Sequence, residues 1–269
     1  MSAAAAKTAA DPTAPAGVHT PLVFLHGIGS SAEGWVEQQF RLPGRRTLAW
    51  NACGYGDSAP LPSEAQTVEA YADALAQDLD HSFDGPLVLV ASSWGSLIAL
   101  ALAHARPGRV DRLVLSGPTR GYGHLPPAER RSLWDARAER VRTLGVARML
   151  HEDEARLLAA PPSSAQAGQL ARAREGVSAA GYLQALHALM AADGEALARG
   201  VSCPVLVVAG AQDRIAPPAA HAEVLAAALH NARLDCLPAC GHLPHVEQAE
   251  RFDQLLQAFI QPETSEDPT

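Results

Sequence analysis

Val88-Leu89-Val90-Ala91-Ser92-Ser93-Trp94-Gly95-Ser96 is the stretch on which the reading of this chain turns. An unbroken apolar run passes through small residues into a helical stretch over 96–106, the pattern of a strand that turns sharply into a helix. A tight turn of this kind strains its apex residue and leaves no room for side chains two positions to either side. Around Ser93 those positions hold Ala91 and Gly95; around Ser92 they hold Val90 and Trp94, and an indole does not fit. Ser93 is therefore the candidate nucleophile. A serine-rich turn that merely caps a helix has the same composition, so the assignment depends on what the rest of the chain supplies.

Outward from this turn, apolar runs bounded by Gly, Pro or Ser predict strands over 22–25, 47–50, 87–91, 113–116, 205–209 and 233–237. Near-continuous apolar runs suit parallel strands covered on both faces. Helices are predicted between several of them, over 68–83, 96–106 and 218–229, and over 247–260 at the end. The alternation gives an α/β fold with a doubly wound, mostly parallel sheet. It breaks once. Between Ser116 and Val205 no strand is convincing, and helices are predicted over 127–143, 146–158, 165–175 and 179–192, too long a stretch for a crossover. We read it as a helical cap inserted where open α/β sheets bind ligands. The resulting division is a disordered leader over 1–17, a core over 18–118 and 201–261, a cap over 119–200 and a loose tail over 262–269.

A serine hydroxyl is a weak nucleophile until a base accepts its proton, and the base needs an acid to fix its tautomer. Downstream, Asp213 follows the strand over 205–209 and His242 follows the strand over 233–237, in the chain order Ser, Asp, His. A turn-forming aspartate before Arg214 is the plain alternative for Asp213. Among eleven histidines, His245 is the rival that shares a loop with His242, but it leads directly into the last helix. For the oxyanion, the turn Leu25-His26-Gly27-Ile28 can aim the backbone N–H of Ile28 inward beside that of Trp94. His26 is expected to shape this loop rather than to move protons.

The whole composition narrows the function classes. The 269 residues, 48% hydrophobic and 19% charged, carry a net charge of −8, which disfavours nucleic acid and anionic membrane as partners. No apolar run approaches a bilayer-spanning length, and the N-terminus lacks the apolar stretch of a secretory signal. Four cysteines without a CxxC pair argue against a disulfide framework or a metal site. A cytoplasmic protein with a small-molecule substrate and no metal is expected; oligomeric state is left open.

Five segments together resemble the α/β-hydrolase superfamily, in its capped, cofactor-free branch of esterases, enol-lactonases and C–C bond hydrolases. They are His26-Gly27-Ile28-Gly29 with Trp35, Gly54-Tyr55-Gly56-Asp57-Ser58, Ala91-Ser92-Ser93-Trp94-Gly95, Asp213-Arg214-Ile215-Ala216-Pro217-Pro218, and Gly241-His242 leading to Val246-Glu247-Gln248. The resemblance implies a Ser93-Asp213-His242 triad, an oxyanion hole from Ile28 and Trp94, and no cofactor. The family's other acid position falls in Ser116-Gly117-Pro118-Thr119, which holds no carboxylate. Members often open with an antiparallel hairpin, and the strand-poor residues before Pro21 imply a shortened edge. Serine at the elbow speaks against dehalogenase chemistry, and Leu243 stands where C–C hydrolases usually carry tryptophan. The leading expectation is a serine hydrolase of carboxylic esters or lactones. A C–C hydrolase of meta-cleavage-type diketones is the alternative, and a non-catalytic small-ligand receptor is the third reading. Trp134, Tyr122, Met149, Met190 and Leu243 are the candidates for lining the substrate pocket, which the low aromatic content suggests is mainly aliphatic.

Overall fold

The computed structural model describes residues 20–261 and the backbone of Thr8–Ala9. That strand apart, the leader expected over 1–17 lies outside the described residues, as does the tail expected over 262–269. One sheet contains β1 (Thr8–Ala9), β2 (Leu22–Leu25), β3 (Thr47–Trp50), β4 (Leu87–Ser92), β5 (Val110–Ser116), β6 (Val205–Gly210) and β7 (Ala232–Leu237), in the order β1-β3-β2-β4-β5-β6-β7. β2 to β7 are mutually parallel, and β1 pairs antiparallel with β3. Among the described residues the antiparallel edge is two residues long.

The apolar runs follow from burial on both faces. In β4, Leu87, Leu89 and Ala91 join an apolar layer with Leu75, Leu97 and Leu225, while Val88 and Val90 join the opposite layer with Trp35, Phe252 and Leu256. Successive side chains of a strand point to opposite faces, so covering both leaves no polar position to break the run. In the first half of the chain, α2 (Val68–Ser82) and α3 (Gly95–Ala105) supply the first of these layers, whereas the short α1 (Val36–Phe40) buries only Gln38. Thr67 caps α2 by accepting a hydrogen bond from the Ala70 N–H.

Between β5 and β6 lie α4 (Pro127–Leu144), α5 (Val146–Leu157), α6 (Ser164–Glu175), α7 (Ala179–Ala191) and α8 (Gly194–Ala198). The first four match the sequence reading to within two residues at each end. α8, capped by Asp193, is a single turn and too short to show an amphipathic period. After β6, the expected helix over 218–229 is a 3₁₀ turn at Pro218–Ala220 followed by α9 (Ala222–Ala228). The expected helix over 247–260 is α10 (Pro244–Glu247) and α11 (Ala249–Ile260), broken at Gln248, whose φ and ψ are −127° and 53°.

The chain runs from β2 outward to β3, then returns past β2 to β4 on its other side. The strand order therefore reverses between β2 and β4, whose C-terminal ends lie side by side with Leu25 opposite Ala91. Such a switch point opens a crevice at the carboxyl ends of the strands. Both the His26-Gly27-Ile28 turn and Ser93 emerge there.

Candidate active site

Ser93 sits between the last residue of β4 and the first of α3 with φ of 51°, in the left-handed region that non-glycine residues rarely occupy. Its N–H donates to the Ser116 carbonyl at 3.0 Å, which fastens the strained turn to the neighbouring strand end. At Gly95, a Cβ would lie 2.6 Å from the carbonyl oxygen of His26 and 2.9 Å from that of Leu25. The start of α3 is packed onto the end of β2, and only glycine permits it.

The three side chains singled out in the sequence meet at this turn. His242 Nε2 lies 2.9 Å from Ser93 Oγ, and His242 Nδ1 lies 2.7 Å from Asp213 Oδ2. The other carboxylate oxygen, Asp213 Oδ1, accepts the N–H groups of Ile215 and Ala216 at 2.8 and 2.9 Å. These bonds hold the carboxylate in one orientation, with one oxygen left for the imidazole. Serine, histidine and aspartate are all buried, at 8%, 3% and 5% exposure, so their interactions are little screened by solvent.

His245 is placed quite differently. Its ring stacks on Trp35 with centroids 4.2 Å apart, Nδ1 lies 3.2 Å from Ser116 Oγ, and its carbonyl accepts from Gln38 Nε2. Burial pushes its imidazole down to about 3, with His242 adding to the effect. A ring held neutral and packed in this way braces the loop. His26 likewise donates from Nδ1 to the Gly27 carbonyl and accepts at Nε2 from the Ala52 N–H, at 2.8 and 3.1 Å. Burial holds it near 4. It ties the turn after β2 to the loop after β3.

That turn borders Ser93 closely: a Cβ at Gly27 would come within 3.3 Å of the Ser93 Cβ. The Tyr55 hydroxyl donates to the Ile28 carbonyl at 2.9 Å, a brace whose residue stood in a quoted motif without a recognised role. Among the described residues, the backbone N–H groups of Ile28 and Trp94 have no hydrogen-bond partner.

A cavity over Ser93 and His242 is lined from the sheet side by Gly27, Ile28 and Leu243, and from the helical segment by Tyr122, Leu150, Leu157, Leu170, Tyr182 and Leu189. Of the five residues expected to line a substrate pocket, Tyr122 and Leu243 lie on this cavity, and Trp134, Met149 and Met190 do not. Trp134 and Met190 line a separate surface recess with His187, whose ring meets the indole edge-on at 5.8 Å. Met149 is buried in the apolar layer, and its neighbour Leu150 faces the cavity instead, because one residue turns a helix by about 100°. Nor is the lining simply aliphatic, since Arg137, Asp153 and Arg174 also belong to it.

The sequence profile of the α/β-hydrolase fold matches residues 20–249. The chain belongs to the α/β-hydrolase fold family. Relatives of this α/β-hydrolase span most of its length. A Klebsiella pneumoniae protein named for carbamate hydrolysis is 30% identical, over 88% of this chain and 90% of its own. A pimeloyl-[acyl-carrier protein] methyl ester esterase of Aromatoleum aromaticum is 31% identical over 89% and 97%. The 2-hydroxymuconate semialdehyde hydrolase of Pseudomonas sp. strain CF600 is 29% identical over 91% and 88%. In fold, the hydrolase superposes on the enol-lactonase of Burkholderia xenovorans LB400 with a TM-score of 0.81 at 24% identity, covering 95% of each chain. Among the described residues, no helix is long and apolar enough to cross a membrane.

Proposed function

We propose that this α/β-hydrolase is a serine hydrolase that cleaves a carboxylic ester or lactone through an acyl-enzyme. The observation that carries the reading is the unbroken relay from Ser93 Oγ through His242 to Asp213, at 2.9 and 2.7 Å, at the floor of a largely apolar cavity. His242 Nε2 takes the Ser93 proton as Oγ attacks the carbonyl carbon. Asp213 holds the Nδ1–H tautomer and stabilises the imidazolium that forms. The N–H groups of Ile28 and Trp94 receive the oxyanion. His242 then gives its proton to the departing alkoxide, and the acyl group remains on Ser93. In the second half His242 takes a proton from water, hydroxide adds to the acyl carbon, and the acid leaves as Ser93 regains its proton. Helices α4 to α7 act as a cap over this chemistry, within a division into a core over 18–118 and 201–261 and a cap over 119–200.

The name of the Aromatoleum aromaticum relative supports ester cleavage, and that of the Pseudomonas relative supports C–C cleavage as the second reading. A panel of p-nitrophenyl esters, lactones, carbamates and a meta-cleavage diketone, run beside Ser93→Ala, separates them. Ester or lactone turnover that vanishes in the variant is expected. Diketone turnover with none of the others would replace the first reading with the second.

A further inference from the structure

The helical wall of the cavity contains three charged side chains, and two of them are already paired. Asp153 accepts both contacts of Arg140 Nη1, at 2.8 and 3.1 Å, and Arg174 Nη1 donates to Glu154 Oε2 at 2.6 Å. Arg137 differs. Among the described residues no carboxylate lies within ion-pairing distance of its guanidinium. Its guanidinium hydrogen-bonds to the Tyr182 hydroxyl, and Tyr122 and the Asp153 carboxylate that Arg140 occupies, the latter beyond pairing distance, line the same cavity.

The position is unusual in the sequence as well. On α4 the inward stripe is Trp134, Arg137, Ala138 and Val141, at helical spacing, with Ala138 and Val141 buried. A guanidinium therefore stands at an inner-face position, where an aliphatic side chain would pack without cost. A buried guanidinium without a paired carboxylate costs free energy that a counter-ion recovers, and among the described residues no carboxylate lies within pairing distance of it.

We propose that Arg137 anchors a carboxylate carried by the substrate away from its scissile carbonyl, so that the preferred substrates are half-esters or lactones bearing a free acid. The planar guanidinium matches a carboxylate with two parallel hydrogen bonds. The Tyr182 hydroxyl beside it, which burial keeps protonated at neutral pH, adds a third donor. Tyr122 and Arg137 then read one end of the substrate while Ser93 attacks the other. This assignment rests on the serine-hydrolase reading of the same cavity.

The test compares p-nitrophenyl hydrogen adipate with p-nitrophenyl hexanoate, esters of similar acyl length that differ in a terminal carboxylate. For the wild type, kcat/KM is expected to favour the adipate by about 10- to 100-fold, mostly through KM. In Arg137→Gln the ratio should fall to about one, and Arg137→Lys should keep part of it. A second arm needs no turnover: adipate should raise the melting temperature of Ser93→Ala but not of Ser93→Ala combined with Arg137→Gln. A wild-type ratio near or below one, a ratio that survives Arg137→Gln, or no protection of Ser93→Ala by adipate overturns the proposal. The wild-type ratio and the adipate protection decide it even where Arg137→Gln fails to fold. Loss of all Ser93-dependent turnover with adipate protection intact would instead sink the hydrolase reading and leave the anion site standing.

Discussion

The backbone N–H of His242 donates to the carbonyl of Leu157 at 2.6 Å, so the loop carrying the imidazole is hydrogen-bonded to the last residue of α5. Glu247 closes the same seam from below. Its Oε1 accepts the N–H groups of Gly241 and Leu243 at 2.9 and 3.4 Å, and its Oε2 accepts that of Ala159 at 2.7 Å. The backbones approach so closely that a Cβ at Gly241 would lie 2.6 Å from the Leu157 oxygen. The helical segment and the histidine loop are therefore positioned together.

Removing the carboxylate should disturb both sides. In Glu247→Ala, three backbone donors in a half-buried seam lose their acceptor, which costs about 1–3 kcal/mol for each donor that water does not reach. We expect a lower melting temperature and a fall in kcat, with Glu247→Gln retaining part of each. An unchanged kcat in a destabilised Glu247→Ala would mean that the seam supports the fold and does not position His242.

Asp213 offers a sharper separation of binding from chemistry. By the behaviour of triads in which the acid is replaced by its amide, Asp213→Asn should lower kcat by about 10,000-fold through the wrong imidazole tautomer. KM should change little, because among the described residues the Asp213 carboxylate hydrogen-bonds only to His242, Ile215 and Ala216, and it does not line the cavity. A rise in KM with kcat preserved would assign Asp213 a structural role.

Much of this site was legible in the sequence because each step rested on steric or covalent necessity. The strained elbow admits only small flanking residues, which separated Ser93 from Ser92, and the φ of 51° at Ser93 is the strain that argument required. Strand positions followed from apolar runs that only a sheet buried on both faces needs. The pocket was less legible. Choosing Met149 over Leu150 depends on helix rotation to within one residue, and Trp134 shares its helix face with Arg137, which apolar counting passes over. Glu247 was visible as part of Val246-Glu247-Gln248, yet its partners Ala159 and Gly241 come from segments that only the fold brings together.

Acid should destabilise the protein. Burial pushes the imidazoles of His26 and His221 down to about 4 and that of His245 to about 3, against an ordinary value near 6.5. Between those limits the unfolded chain binds protons that the native chain refuses, so stability falls as pH falls, by up to about 1.4 kcal/mol per pH unit for each histidine. The half-buried carboxyl of Glu247 and the buried one of Asp253, shifted upward by burial, act in the opposite sense near the acid end of this range. Urea unfolding at pH 7 and pH 5 should give a free energy about 2 kcal/mol or more lower at pH 5. Equal or greater stability at pH 5 would contradict the neutral, buried state of these rings.

Every step of the proposed reaction depends on Ser93 being a nucleophile activated by His242. Treatment with a fluorophosphonate followed by peptide mass spectrometry addresses it directly, because the adduct forms only on an activated hydroxyl and its position is read from the fragment masses. Stoichiometric modification of the peptide containing Ser93 is expected, with none in Ser93→Ala and strongly slowed labelling in His242→Ala. Labelling of Ser93→Ala at the wild-type rate, or an adduct on any other residue, would contradict it.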